Sequence, residues 1–228
     1  MSKMYLSTMS NYAVIFDMDG VICHTNPYHA KAFEAFFKKY NIESSEEEFQ
    51  EHMYGKHNSY IMQHFFKRTI APDELIKLEF EKEELFRIIY KDQITPIAGY
   101  LEFLEDLKRN DLKTGVATSA PKENMDLILD ALHIRSKMGS ILCSENVSHH
   151  KPHPEVYLTS ANNLEVEPIN CVVFEDSFSG ITAGLNAGMT VVGVLSTHTK
   201  DQLPTCHAYI NDYTEISTDK ILELLKRA

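Results

Sequence analysis

Apolar residues recur along this chain in two rhythms. Tyr12-Ala-Val-Ile-Phe16 is a short continuous apolar run stopped by Asp17-Met-Asp-Gly20, the pattern of a strand buried on both faces that ends in a polar turn. Lys113–Ala117, Cys171–Phe174 and Thr190–Val194 repeat it beside helical periodicity, and Ala208–Ile210 is a weaker instance. Strands alternating with helices predict an α/β domain: a doubly wound parallel sheet covered by helices on both faces.

The second rhythm occupies the stretch between the first two strands. From Pro27 to about Asp92 the spacing is helical: Tyr28–Tyr40, Ser45–Met53, Ser59–Thr69 and Asp73–Tyr90, the last with Leu75, Leu78, Leu85, Phe86 and Ile89 on a core face. Ser44 or Ser45, with Glu47 or Glu48 three residues on, resembles a capping box, and Pro72-Asp73 starts the last helix. The pattern predicts an all-α cap domain at 27–93 inserted into an α/β core made of 1–26 and 94–228. Hinges are expected near Cys23–Pro27 and near Thr95–Gly99, where Pro96 and Gly99 interrupt the helical pattern.

Charge narrows the function classes. With 22 Lys+Arg against 33 Asp+Glu the formal net charge is −11, the opposite of the basic footprint that nucleic acid requires. No apolar run is long enough to span a bilayer, and the first fifteen residues lack a signal-peptide core. Cys23, Cys143, Cys171 and Cys206 lie far apart without a CxxC pair, so reduced thiols in a cytoplasmic protein are expected. His149, His150 and His153 match no structural zinc spacing and read as solvated loop residues. Glu46–Glu48 and Glu81–Glu84 read as solvated helix faces.

Candidate chemistry collects at strand ends, where doubly wound sheets bind ligands. Asp17 and Asp19, two apart on extended backbone, point to one side and Met18 to the other. Carboxylates this close ionise together only with a cation between them, so one is protonated or a metal is bound. Gly20 permits a sharp turn. Thr118 and Ser119 end the second strand, although either could simply cap the helix that follows. Lys151 lies in His150-Lys-Pro-His-Pro154, where Pro152 biases it to an extended conformation and Pro154 suits a first helical turn. Glu175-Asp176 follow Phe174, with Gly180 opening space beside Asp176.

Asp17-Met-Asp-Gly-Val21, Thr118, Lys151 and Glu175-Asp176, in this order and spacing, resemble the four motifs of the haloacid dehalogenase superfamily, in its branch of β-phosphoglucomutase-like enzymes and sugar-phosphate phosphatases. The resemblance covers nearly the whole chain, the inserted helical cap included. It implies that Asp17 is the nucleophile toward phosphorus and that Asp19 is the general acid and base. It further implies that Asp17, the Asp19 carbonyl and Asp176 hold Mg²⁺, with Glu175 beside them as an occasional ligand. Thr118, the Ser119 amide and Lys151 would bind phosphoryl oxygens. Four carboxylates against Mg²⁺ and one lysine leave the site at −1 before substrate arrives, which a proton on Asp19 cancels. Each uncompensated charge pair at about 4 Å would cost on the order of 4 kcal/mol at an effective dielectric near 20.

Substrate choice falls to the cap. By the same resemblance Thr25 and His29 match positions at the hinge and the start of the cap, Gly55 lies in a substrate-discriminating loop, and Lys82 corresponds to a lysine that faces the active site. Lys82 also reads as an i,i+4 partner in a Glu-rich helix. The chain departs from the mutase in having Asn58 where that enzyme places an arginine for the distal phosphate, and Ala120-Pro121 where it has Ser-Lys. Losing those donors favours a phosphatase acting on a small phosphorylated metabolite, a sugar or polyol phosphate, over a phosphoglucomutase-type isomerase. A non-catalytic metabolite sensor on this fold fits poorly, because every motif residue for phosphoryl transfer is present. A monomer or weak homodimer without nucleic-acid or membrane partners is expected.

Overall fold

The protein is described by a computed structural model over residues 11–53 and 58–226. Six parallel strands form one sheet in the order β3-β2-β1-β4-β5-β6: β1 Ala13–Phe16, β2 Lys113–Ala117, β3 Ser140–Leu142, β4 Cys171–Glu175, β5 Thr190–Val194 and β6 Ala208–Ile210. The helices, in chain order, are α1 Asn26–Lys39, α2 Glu46–Met53, α3 Asn58–Phe65, α4 Pro72–Tyr90, α5 Tyr100–Arg109, α6 Lys122–Ala131, α7 Glu155–Asn163, α8 Phe178–Asn186 and α9 Thr218–Leu225. The predicted strands are all present. β3 is an addition, a three-residue strand too short and too polar at Ser140 to stand out in the sequence.

The chain divides into two compact units, residues 1–24 with 95–228 and residues 25–94. In the first, β1 and β4 are buried along their whole lengths, as a strand covered on both faces must be. Ala13, Ile15, Val173 and Val191 pack with Tyr157 and Ala161 of α7 and Ile181 of α8 on one face. On the other, Phe16 stacks on Phe174 (centroids 5.3 Å apart), and both meet Phe103 of α5 and Tyr213 edge-on or tilted. The two passages of chain that flank residues 25–94 are joined at this unit's margin: Cys23 bridges to Pro96, and Ile97 N donates to Ile22 O at 2.8 Å.

Among the described residues of the second unit the regular elements are all helices, α1 to α4, packed around Phe33, Phe36, Phe37, Phe49, Met62, Phe65 and Leu78. Pro27 in the first turn of α1 and Pro72 in that of α4 start their helices. Half of the expected capping box forms: Ser45 Oγ accepts from Glu48 N at 3.1 Å, while the Glu48 carboxylate lies 3.2 Å from His64 Nε2. The reading of Glu81–Glu84 as a solvated face fails at two positions. Lys82 and Glu83 are buried, because each neutralises the other inside the bundle and the lysine's charge also lies 4.5 Å from the centroid of the Phe33 ring.

Candidate active site

The parallel register brings the strand ends level. Phe16 pairs with Val116 on one side and Phe174 on the other, so the next residues, Asp17, Ala117 and Glu175, lie side by side on three adjacent strands. Asp17 N donates to Phe174 O at 3.0 Å and continues the ladder by one bond. Lys151 ties the three together: its Nζ donates to Asp17 Oδ1 at 2.6 Å, Glu175 Oε1 at 2.7 Å and Ala117 O at 3.1 Å. The lysine is delivered by the loop before α7, where Pro154 immediately precedes the helix and the Lys151–Pro152 peptide is cis.

Glu175 is the hub of this arrangement. Oε1 accepts from Lys151 and from Tyr157 Oη, each at 2.7 Å, and Oε2 accepts from Asp176 N, Ser177 N and Ser177 Oγ at 3.0 to 3.2 Å. Both oxygens are thus engaged, and the side chain holds its neighbours in place. Gly180 makes room for it: a Cβ there would lie 1.7 Å from Glu175 Oε1. The space expected beside Asp176 is therefore occupied by Glu175, because the α8 N-terminus turns back over the last residue of β4. Gly20 has the companion role at Asp176, where a Cβ would lie 1.9 Å from Oδ2, and its φ of +71° is the left-handed turn expected of it.

Electrostatics follow from burial. Burial pushes the Asp17 carboxyl up to about 7; Lys151 opposes the rise, and Glu175 and Asp19 reinforce it. Burial also raises Asp176 well above the carboxylate range, with Glu175 and Asp17 adding to the effect. Lys151 stays charged, since the attraction of Asp17 and Glu175 overcomes the penalty of its own burial. Ligand atoms of Asp17, Glu175 and Asp176 lie within 4.8 Å of one another, all three residues buried. One ammonium among three carboxylates leaves negative charge uncompensated, and an all-oxygen donor set of this kind suits a hard divalent cation such as Mg²⁺.

The remaining strand-end residues complete the rim. Asp19 is half-buried in the turn after Asp17, while Met18 is fully buried, as the alternation requires. Buried Thr118 donates its amide to Leu142 O at 3.0 Å; its Oγ1 accepts from Ala120 N at 3.1 Å, so the hydroxyl caps the following turn as an acceptor. Ser119 is exposed. Three contributors come from the segment after β5 and were missed in the sequence: Thr197 Oγ1 donates to Asp176 Oδ2, Ser196 Oγ donates to Gly20 O, and His198 Nδ1 lies 3.1 Å from Asp176 O. Tyr157 was missed as well. The run Ser196-Thr-His-Thr199, directly after a buried parallel strand, is the signal that could have found the first three.

Within the helical unit, Thr25 precedes α1 and is fully buried, its carbonyl accepting from Tyr28 N and His29 N. His29, Asn58 and Lys82 come together there. Lys82 Nζ lies 2.8 Å from His29 Nδ1 and donates to Glu83 Oε1 at 2.8 Å; Asn58 Nδ2 donates to the same oxygen at 2.8 Å. The His29 ring stacks on Phe86 at 3.8 Å. Although burial opposes it, Lys82 holds the Glu83 carboxyl down at about 2, helped by His29 and Asn58. Glu83 is the member of this group that the sequence did not suggest. Gly55 lies outside the described residues.

Comparison with known proteins agrees with this fold. A sequence profile described as haloacid dehalogenase-like hydrolase matches residues 14–194. A fructose-1-phosphate phosphatase of Escherichia coli (strain K12) is 30% identical over 184 residues, covering 79% of this chain and 95% of the relative. A beta-phosphoglucomutase of Bacillus subtilis (strain 168) is 31% identical over 191 residues, covering 80% and 82%. The crystal structure of a family IA variant 3 hydrolase from Entamoeba histolytica superimposes with a TM-score of 0.88 at 28% identity, covering 94% of this chain and 99% of that one.

Proposed function

Because the chain belongs to the haloacid dehalogenase-like hydrolases, we propose that it is a Mg²⁺-dependent phosphatase that hydrolyses a small phosphate monoester, a sugar or polyol phosphate, through an aspartyl-phosphate on Asp17. The observation that carries this reading is the Lys151 ammonium bonded across three strand ends to Asp17, Glu175 and Ala117. It sets a buried carboxylate beside a fixed positive charge where a phosphoryl group would bind. An Asp17 oxygen attacks phosphorus, and the bond to the leaving oxygen breaks as Asp19 gives that oxygen its proton. Asp19, now a carboxylate, takes a proton from water, whose oxygen attacks the acyl phosphate to free phosphate and restore Asp17. Lys151, the Thr118 hydroxyl and the Ser119 amide hold the phosphoryl oxygens.

Asp17, Asp176 and the Asp19 carbonyl would hold Mg²⁺. When bound, the ion supplies positive charge that offsets the crowded carboxylates and the phosphoryl oxygens. Glu175 orients Lys151 and the first turn of α8. Phosphatase is favoured over mutase because the Asn58 amide is turned to Glu83 and Ala120-Pro121 offer no side-chain donor for a second phosphate. Hydrolysis is also the reaction named for the Escherichia coli relative. Cys23, Cys143, Cys171 and Cys206 are not joined in disulfides, which is consistent with the reducing cytoplasmic setting we infer. Among the described residues no helix is long and apolar enough to cross a membrane.

The deciding experiment follows phosphate release by purified protein with Mg²⁺ across sugar, polyol and nucleotide phosphates, with β-glucose 1-phosphate monitored in parallel for glucose 6-phosphate. Metal-dependent release from a sugar or polyol phosphate is expected. Conversion of the glucose phosphate without free phosphate would replace the phosphatase reading with the mutase one.

A further inference from the structure

Away from the carboxylate cluster, the loop that presents Lys151 carries a second group of side chains of metal-ligating type. The rings of His149 and His153 lie with centroids 4.6 Å apart and planes tilted by 34°. Glu155 Oε2 lies 2.8 Å from His149 Nδ1 and 4.0 Å from His153 Nδ1. The carboxylate is held toward them by backbone amides, Oε1 by Ser148 N at 2.7 Å and Oε2 by His149 N at 3.0 Å. One nitrogen from each ring and one carboxylate oxygen lie within 4.8 Å of one another.

We propose that His149, His153 and Glu155 form a peripheral site for Zn²⁺ or a similar borderline first-row cation. Ligand bonds of about 2.1 Å in a tetrahedral site set donor atoms about 3.4 Å apart, and small rotations of the two exposed rings reach that spacing. Two imidazoles and one carboxylate form the ligand set of a zinc site that keeps a fourth position for water. The oxygen-only cluster of Asp17, Glu175 and Asp176 has the opposite preference, for a hard ion. Ligand chemistry therefore sorts two different cations onto one chain. Lys151 lies between the two histidines in sequence, so an ion at the peripheral site would staple the loop that delivers the ammonium to Asp17 and Glu175. The sequence pattern hid this site because its spacing is that of an irregular loop.

The test is titration calorimetry with Zn²⁺ in saturating Mg²⁺, on the wild-type protein, His149→Ala and His153→Ala. One Zn²⁺ per chain that Mg²⁺ does not displace is expected. Either substitution should weaken it roughly tenfold or more, since even the groups that merely orient metal ligands are worth 10- to 100-fold. Melting temperature without Zn²⁺ and activity with Mg²⁺ should stay at wild-type values. Co²⁺ in place of Zn²⁺ should give visible d–d absorption that His149→Ala alters. Equal Zn²⁺ affinity in all three proteins would overturn the proposal. So would Zn²⁺ binding that vanishes in Mg²⁺, which would place the ion in the carboxylate cluster alone. Should an alanine variant fold poorly, His149→Asn and His153→Gln carry the same comparison.

Discussion

Tyr157 and Lys151 converge on a single atom: each donates to Glu175 Oε1 at 2.7 Å, and the Lys151 ammonium lies 4.8 Å from the centroid of the Tyr157 ring. The phenol thus fixes the carboxylate that fixes the lysine, and the ring restricts the lysine from a second side. Both contacts set the position of the ammonium that, in the proposed mechanism, would hold phosphoryl oxygens.

Replacing Tyr157 with Phe keeps the ring and removes one hydrogen bond to a buried carboxylate. A loss of about 1.5–3 kcal/mol in unfolding free energy is expected, with a several-fold fall in kcat and little change in KM. Urea melts and steady-state kinetics measure the two. Unchanged kcat would mean that Lys151 is held well enough without Tyr157.

Asp17→Asn separates chemistry from folding. Turnover should fall on the order of a thousandfold or more, because the proposed nucleophile is gone. The metal-free stability at pH 8 should not fall, because the substitution also removes one charge from a buried, like-charged cluster. Near wild-type turnover would exclude Asp17 as the nucleophile.

In the proposed metal site, Mg²⁺ and pH are linked through the same residue. The Asp17 carboxyl sits at about 7 in the folded protein against 3.8 ordinarily, so between these values the folded chain holds a proton that the unfolded chain has released. Metal-free stability therefore declines as pH rises through this window. A cation requires the ionised form, so the rise in Tm produced by Mg²⁺ should be larger at pH 8 than at pH 5. Melts with Mg²⁺ and with EDTA test this, and equal shifts at both pH values would contradict it.

Thr197 orients Asp176 by donating to Oδ2. Thr197→Val should weaken Mg²⁺ binding by roughly 10- to 100-fold, and Thr197→Ser should restore it, since the hydroxyl is what matters. Direct Mg²⁺ or Mn²⁺ titration reads this without reference to activity. A serine variant as weak as the valine one would assign the effect to packing.

Glu83 sets the acid limit of the helical unit. Burial, the largest single effect, pushes its carboxyl up, but Lys82, His29 and Asn58 together hold it at about 2 against an ordinary 4.5, so its contribution is complete above 4.5 and is lost as pH falls toward 2. The amount at stake is on the order of 3 kcal/mol. Glu83→Gln should reduce stability at neutral pH, by leaving Lys82 buried without its carboxylate, and should flatten the acid-side loss. Parallel pH profiles for the two proteins would remove Glu83 as the cause.

What the chain's pattern revealed was whatever a single element encodes. Buried strands declared themselves as apolar runs, and Asp17, Thr118 and Glu175-Asp176 stood out because they end such runs. Lys151 was legible from the two prolines that follow it, Pro152 and Pro154. Groups assembled across elements were not: Tyr157 lies on a core face of α7, where an aromatic residue reads as packing, and Thr197 acts on a residue 21 positions earlier. Lys82-Glu83 looked solvated because adjacent opposite charges are ordinary on a surface. Only the folded bundle shows them turned inward together.

The bridge between Cys23 and Pro96 has an architectural consequence. The chain leaves the sheet unit and returns to it through one clasp, closed by the Ile97 to Ile22 hydrogen bond, so everything between the two ends is a cassette whose ends already meet. Such a segment can be exchanged, lengthened or replaced without rethreading any strand, and the strand ends that carry Asp17, Glu175 and Asp176 keep their register whichever cassette is installed. If the proposed function holds, a lineage built this way can change the cassette while leaving the chemistry of those strand ends untouched.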